Sequence, residues 1–292
     1  MKPIDHLMKL FLAWMFILLT ACGGKSQNTK SVISVSIEPL KYLTERIVGD
    51  DFEINVLVPS GASPETYEPT ASQMVKVANS KAYINIGLID FERNLYGNIK
   101  ANNPEVNIIN LDKGVSLILE GHDDHAHGTG GHSHGIDPHI WSSPQCVRKM
   151  VNTLYFSLVQ MYPDSVKYAN NYNLLMIDLN LLEYDLDRIF SEEDVKKTFI
   201  IYHPALSYLA RDYGLTQIAV EDEGKEPSAS HIRDVIDIAR RENITKIFYQ
   251  KQFSRSTVEA ISKELGIEAV EIDPLAWNIL DNTFNMCRLI TE

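Results

Sequence analysis

Five of the nine histidines in this chain fall within residues 122–134, in the run G-H-D-D-H-A-H-G-T-G-G-H-S-H-G: His122, His125, His127, His132 and His134. A neutral imidazole is a good ligand for borderline divalent metals. The glycines and aspartates between these histidines suit neither a helix interior nor a strand, so the segment reads as a solvated, metal-collecting loop. Four further metal-capable side chains stand elsewhere: Glu65 in G-A-S-P-E-T-Y-E-P, His139 in D-P-H-I-W, His203 in I-I-Y-H-P-A and Asp273 in E-I-D-P-L. Each directly adjoins a proline (Pro64, Pro138, Pro204 and Pro274). Proline fixes its own φ and restricts the residue before it, so these side chains are carried on stiff backbone and lose little entropy on ligation. Two imidazoles and two carboxylates complete a four-coordinate shell with no place left for a substrate, which favours binding over catalysis.

The elements that must position these groups alternate along the chain. Short runs rich in β-branched residues predict strands at 32–37, 54–58, 82–86 and 106–109, with helices at 40–48, 71–79 and 91–100 between them. The rhythm repeats in the second half, with strands at 199–202, 217–220, 246–249 and 269–272 and helices near 205–213, 229–242 and 256–265. Strand alternating with helix predicts a parallel-sheet α/β layout in each half. His203 and Asp273 each follow a predicted strand directly, and ligands of open α/β sheets collect at carboxyl ends of strands. Between the halves, Tyr168, Tyr172, Leu175, Leu179, Leu182, Leu186 and Ile189 recur at spacings of four and three. They form one apolar stripe on a helix from Asp164 to Phe190, about 40 Å long. A coiled-coil seam would show the same spacing. A strut packed lengthwise against both halves is the preferred reading.

Lys2 and Lys9 precede an apolar run at 10–20, too short for the ~20 residues of a bilayer span, so residues 1–21 read as a signal peptide. The run ends in Leu19-Thr20-Ala21-Cys22, which resembles a bacterial lipobox and implies lipid attachment at Cys22, with residues 22–31 as a polar tether. About 270 residues then remain, enough for two medium-sized lobes with their own cores. The net charge of −12 argues against nucleic acid. Cys146 and Cys287, the two remaining cysteines, could form one disulfide in an oxidising compartment but make no framework; buried and free is the preferred reading.

Several stretches resemble the metal-type substrate-binding proteins of bacterial ABC importers, most of all the zinc-uptake branch: V-S-I-x-P-L-K-Y near the start, G-A-S-P-x-x-Y-E-P, the His-rich loop, D-P-H-I-W, Y-H-P-A-x-x-Y-x-A-R-D-Y-G-L, E-P-S and I-D-P-L. The resemblance covers nearly all of the chain after residue 21. It implies two Rossmann-like lobes joined by one long backbone helix: an N-terminal lobe at 32–162 that carries the loop at 121–135, a linking helix at 163–192 and a C-terminal lobe at 193–292. It further implies a lipid-anchored, extracytoplasmic monomer that holds Zn2+ in the cleft through Glu65, His139, His203 and Asp273 and delivers it to an ABC permease. A histidine at position 203 points to zinc, since manganese members of that family commonly carry glutamate there. Position 65 departs from the pattern, which usually has histidine in P-H-x-Y or E-H-x-Y. Glutamate hardens the site and leaves Mn2+ or iron as the alternative cargo. A cell-envelope zinc hydrolase is the competing class, but no H-E-x-x-H motif or evident general base supports an enzyme. Storage or adhesion on the same fold differs only in partner. His231 reads as solvent-facing, His6 leaves with the signal peptide, and Glu68, Glu221 and Glu223 read as ordinary solvated charges near the cleft.

Overall fold

The computed structural model describes residues 30–119, 135–221, 226–253 and 255–292. The signal segment, Cys22, His6, the five loop histidines and Glu223 lie outside the described residues. Strands β1 (Ser31–Val35), β2 (Phe52–Val56), β3 (Ala82–Asn85) and β4 (Asn107–Asn110) form one sheet in the order β2-β1-β3-β4. Strands β5 (Thr198–Ile201), β6 (Thr216–Ala219), β7 (Lys246–Gln250) and β8 (Glu268–Ile272) form a second sheet in the order β6-β5-β7-β8. Every pairing is parallel. Parallel strands are covered on both faces, which is why the central ones read as unbroken apolar runs: Ala82, Tyr83 and Ile84 of β3 and Ile200 and Ile201 of β5 are fully buried.

The first sheet carries helices α1 (Glu38–Val48), α2 (Ala71–Ala78), α3 (Asp90–Asn102) and α4 (Pro144–Met161). The second carries α6 (Ser207–Tyr213), α7 (Ala229–Arg241), α8 (Arg255–Leu265) and α9 (Ile279–Thr291). Neither α4 nor α9 was anticipated, although each has a one-sided apolar face: Cys146, Val147, Met150, Val151, Leu154 and Leu158 in α4, and Ile279, Leu280, Met286, Cys287 and Ile290 in α9. Cys146 and Cys287 are buried and unpaired.

Between the sheets runs α5 (Val166–Phe190), 25 residues and so about 37 Å long. It starts two residues later than the sequence stripe suggests, because Asp164 and Ser165 are spent in the preceding turn. Its buried face is Tyr168, Leu175, Leu179, Leu182, Leu186 and Phe190. That face packs on α1 and α4 of the first half and on α9 of the second. The stripe is therefore used up inside the molecule, which removes the coiled-coil reading of it. Polar clamps flank it: Arg46 to Asp178 at 2.6 Å, Arg148 to both oxygens of Glu183 at 2.6 and 3.1 Å, and the Asn171 amide donating to the Ile47 carbonyl at 2.8 Å. One apolar cluster extends from Ile33 of β1 through α5 to Ile290 of α9, so both halves share a core. A smaller cluster (Ile200, Val220, Val235, Ile247, Val258) fills the far face of the second sheet.

One buried carboxylate fixes a turn of the first sheet. Glu92 of α3 is fully buried and accepts from the amides of Ile86, Gly87 and Ile89 at 3.0, 2.8 and 3.3 Å. Burial pushes its carboxyl above the usual range despite these donors. Gly87 has φ of +93°, and a Cβ there would meet Asn110 and Asp112 at 3.1–3.3 Å, so both conformation and space require glycine.

Candidate metal centre

Glu65, His139 and His203 converge between the two lobes, each from a segment that follows the carboxyl end of a strand. Glu65 lies in the connection from β2 to α2. Gln73 ties this connection together: its amide donates to the Leu57 carbonyl at 2.7 Å, and its side-chain oxygen accepts from the Thr70 amide at 2.9 Å and the Tyr67 hydroxyl at 2.8 Å. With Thr70 as N-cap this is a capping box, so one side chain starts α2 and shapes the loop bearing Glu65.

His139 precedes a short 3₁₀ turn (Ile140–Ser142) that leads into α4. Asp137, two residues before it, accepts from the His139 amide and lies against its Nδ1, both at 2.8 Å. The Asp137 carbonyl in turn accepts from the Tyr208 hydroxyl of α6 at 2.7 Å. Leu119 and Ile136 pair antiparallel, and Ile136 is three residues from His139.

His203 follows β5. Its Nδ1 is 2.8 Å from Glu221, which stands two residues past the end of β6, and its carbonyl accepts from Gln250 of β7 at 2.8 Å. The ring stacks on Phe253 at 4.6 Å. Both histidines are therefore arranged alike: Nδ1 faces a buried carboxylate, which fixes the tautomer and aims the Nε2 lone pair at the centre.

The three inward atoms form a nearly equilateral triangle. His139 Nε2 and His203 Nε2 are 3.2 Å apart, and Glu65 Oε1 lies 3.5 Å from the first and 3.3 Å from the second. Tetrahedral zinc with bonds of about 2.0–2.1 Å separates any two donors by about 3.3 Å, so an ion about 0.7 Å off the plane of these atoms satisfies all three. Among the described residues these three form the one group of ligand atoms so gathered. The histidine side chains are 8% exposed and that of Glu65 is 31% exposed, so the open side of the triangle is the glutamate's. The adjoining cavity is small, about 30 Å³, and Trp141, Gln252, Phe253 and Leu275 help to line it. Such a space takes an ion with one or two waters, and no organic substrate.

Without an ion, the groups hold one another's charge. Burial works against a charged His203, but Glu221 and Glu65 outweigh it and raise its pKa to about 9. Burial alone would raise Glu65, yet its bond to His203 and the charges of both imidazoles hold its carboxyl below the ordinary range. Asp137 is likewise held low: burial opposes ionisation, and the charge and hydrogen bonds of His139 overcome it.

Asp273 is not part of the gathered group. Its Oδ2 pairs with the Lys251 ammonium at 2.7 Å and its Oδ1 accepts from the Leu275 amide at 3.1 Å. Glu221 departs from expectation in the other direction: it is 8% exposed and bonded to His203, a positioning group rather than a solvated charge. Its place beyond the end of β6, beside the strand that delivers His203, was the available signal. Asp137 belongs to the site as well, with its signal in D-P-H itself: an aspartate two residues before an amide commonly accepts from it. Glu68 is exposed. His231 is half-buried, with Nε2 3.0 Å from the Ala219 carbonyl, so it tacks α7 to the end of β6 instead of facing solvent.

Two parallel-sheet lobes around a shared helix, with donors gathered at their strand ends, define a two-lobed cleft-binding protein. Residues 33–286 match the family model described as "Zinc-uptake complex component A periplasmic", and the chain belongs to that family. It is 29% identical over 287 residues to the zinc-binding lipoprotein AdcA of Streptococcus pneumoniae (strain ATCC BAA-255 / R6), covering 94% of this chain and 56% of that protein. It is 26% identical over 290 residues to the high-affinity zinc uptake system protein ZnuA of Bacillus subtilis (strain 168), covering 90% of this chain and 86% of that one. The chain thus spans little more than half of the AdcA proteins it matches. A crystal structure of ZnuA superposes with a TM-score of 0.81 at 34% identity, over 90% of this chain and 98% of that one. A ZnuA deletion mutant with zinc bound gives 0.80 at the same identity, over 90% and 97%.

Proposed function

We propose that this protein captures Zn2+ outside the cytoplasm and delivers it to the permease of an ABC-type importer. The observation that carries the reading is the triangle of Glu65 Oε1, His139 Nε2 and His203 Nε2, with edges of 3.2–3.5 Å. Two imidazoles and a single carboxylate suit zinc better than manganese, which prefers oxygen ligands. The names of the relatives at 26–29% identity, zinc-binding lipoprotein and zinc uptake protein, support the same cargo. The lipobox-like stretch at Cys22 supports a lipid tether to a membrane, and the five histidines within 122–134, shortly before His139 in sequence, support a first point of capture. In this reading the N-terminal lobe is 32–162, the linking helix 163–192 and the C-terminal lobe 193–292. Hydrolysis is disfavoured because Asp137 and Glu221, the carboxylates bonded to the two histidines, are spent on orienting them and are not free to act as general bases. Native mass spectrometry with elemental analysis tests the cargo. One tightly held zinc per chain, lost in both His139→Ala and His203→Ala, is expected; manganese in its place, or retention of zinc in both variants, would refute the proposal.

A further inference from the structure

We propose that Lys251 sets the affinity of this centre by withholding Asp273 from the ion. The inference rests on the zinc-capture reading above and concerns what completes the shell. Lys251 and Asp273 are the residues immediately after the paired ends of β7 and β8, where Gln250 stands opposite Ile272. Parallel register therefore sets the two side chains next to each other. The Lys251 ammonium lies 2.7 Å from Asp273 Oδ2 and reaches across to the Ser60 hydroxyl at 3.4 Å, in the same connection that carries Glu65. The other carboxylate oxygen is taken by the Leu275 amide, and the Asp273 carbonyl accepts from Asn282 at 2.9 Å. With its charge matched and both oxygens engaged, Asp273 is left out of the donor triangle.

Gln252 marks what takes the fourth place. It lines both the cavity at the three donors and the adjoining space lined by Asp273, Ser60 and Glu38. Both polar atoms of its carboxamide are buried, and neither has a hydrogen-bond partner among the described residues. A buried amide left unsatisfied is costly. A water bound to the ion in the fourth tetrahedral place supplies that amide with a partner and fits the small cavity. The shell is then two neutral imidazoles, one carboxylate and one water, with a net charge of +1 on the bound ion. Replacing the water by Asp273 would neutralise the ion and bind it more tightly. Lys251 prevents this, which keeps an exchangeable position on an ion that has to be handed on.

The test uses the full chain with Zn2+ affinity measured against a competing chelator and the visible absorption of Co2+ as the coordination readout. Asp273→Asn is expected to leave affinity within about threefold and the Co2+ bands unmoved, because Asp273 is not a ligand. Lys251→Met is expected to tighten Zn2+ at least ~10-fold, the scale of outer-shell effects on metal sites, and to shift the Co2+ bands as a carboxylate replaces water. The double variant is expected to return to wild-type behaviour. A large loss of affinity in Asp273→Asn, or no change of affinity and bands in Lys251→Met, would overturn the inference. If His203→Ala binds Zn2+ as the wild type does, the capture reading itself has failed, and that result is distinct from either.

Discussion

In the proposed site, His203 makes the strength of metal binding a function of pH. In the metal-free protein its pKa is about 9, because Glu221 and Glu65 outweigh the cost of burying the charge. The ion needs the Nε2 lone pair, so at neutral pH each ion that binds must expel a proton. At pH 7 the proton holds a two-unit advantage, which weakens the apparent affinity by a factor of about 100, or about 2.7 kcal/mol. The logarithm of the apparent association constant should rise by one per pH unit from about pH 7 to 8.5 and flatten near the His203 pKa. Chelator competition across pH 7–9.5, corrected for the chelator's own protons, measures the slope. Calorimetry in two buffers of different ionisation enthalpy counts the released proton. Glu221→Gln should move the plateau to lower pH, because the neutral amide no longer favours the imidazolium. The same change should lower the plateau affinity by about 10–100-fold through lost orientation of the ring. Affinity independent of pH between 7 and 9, with no proton released, would refute the reasoning.

The same raised pKa bears on the metal-free fold: its contribution is complete below the unfolded value near 6.5 and disappears as pH rises through about 9, so the metal-free thermal midpoint should fall between pH 7 and 9.5. Deleting residues 122–134 should reduce the number of zinc ions bound but leave one tight site, by calorimetry; total loss of binding would contradict that division. Glu92→Ala strands three amides, two of them buried, and should cost about 3 kcal/mol or more in urea unfolding. Leu179→Ala, at a fully buried position of α5, should cost about 2–5 kcal/mol while unfolding stays a single transition, because the core it damages serves both lobes. Two separated transitions would argue against a common core.

Much of the fold is visible in the chain because parallel α/β structure writes itself as alternation, and each strand and helix expected between 32 and 109 and between 199 and 272 has its counterpart. Helices α4 and α9 are less legible since neither sits inside an obvious strand-helix-strand unit, though their apolar spacing is ordinary. At the site, prolines beside Glu65, His139 and His203 and positions after strands were local signals, and the three side chains do meet. Asp273 carries the same signals yet stands apart, and the cause is a neighbour on the next strand: Lys251 is 22 residues away in sequence but adjacent in register. The role of Glu221 is hidden in the sequence for the same reason, since its bond to His203 crosses from β6 to β5. Chemistry set by a residue type is readable along a chain; chemistry set by strand pairing requires the pairing.

The apolar cluster that runs unbroken from β1 through α5 to α9 has a consequence for traffic through the site. Lobes joined by continuous side-chain packing resist wide opening, so an ion cannot depend on a gaping cleft to come and go. The histidines are sealed in, whereas Glu65 sits on a loop with almost a third of its side chain in contact with solvent. On the proposed reading, the doorway of this molecule is therefore its glutamate, a ligand able to step aside while the two rings stay where their carboxylates hold them.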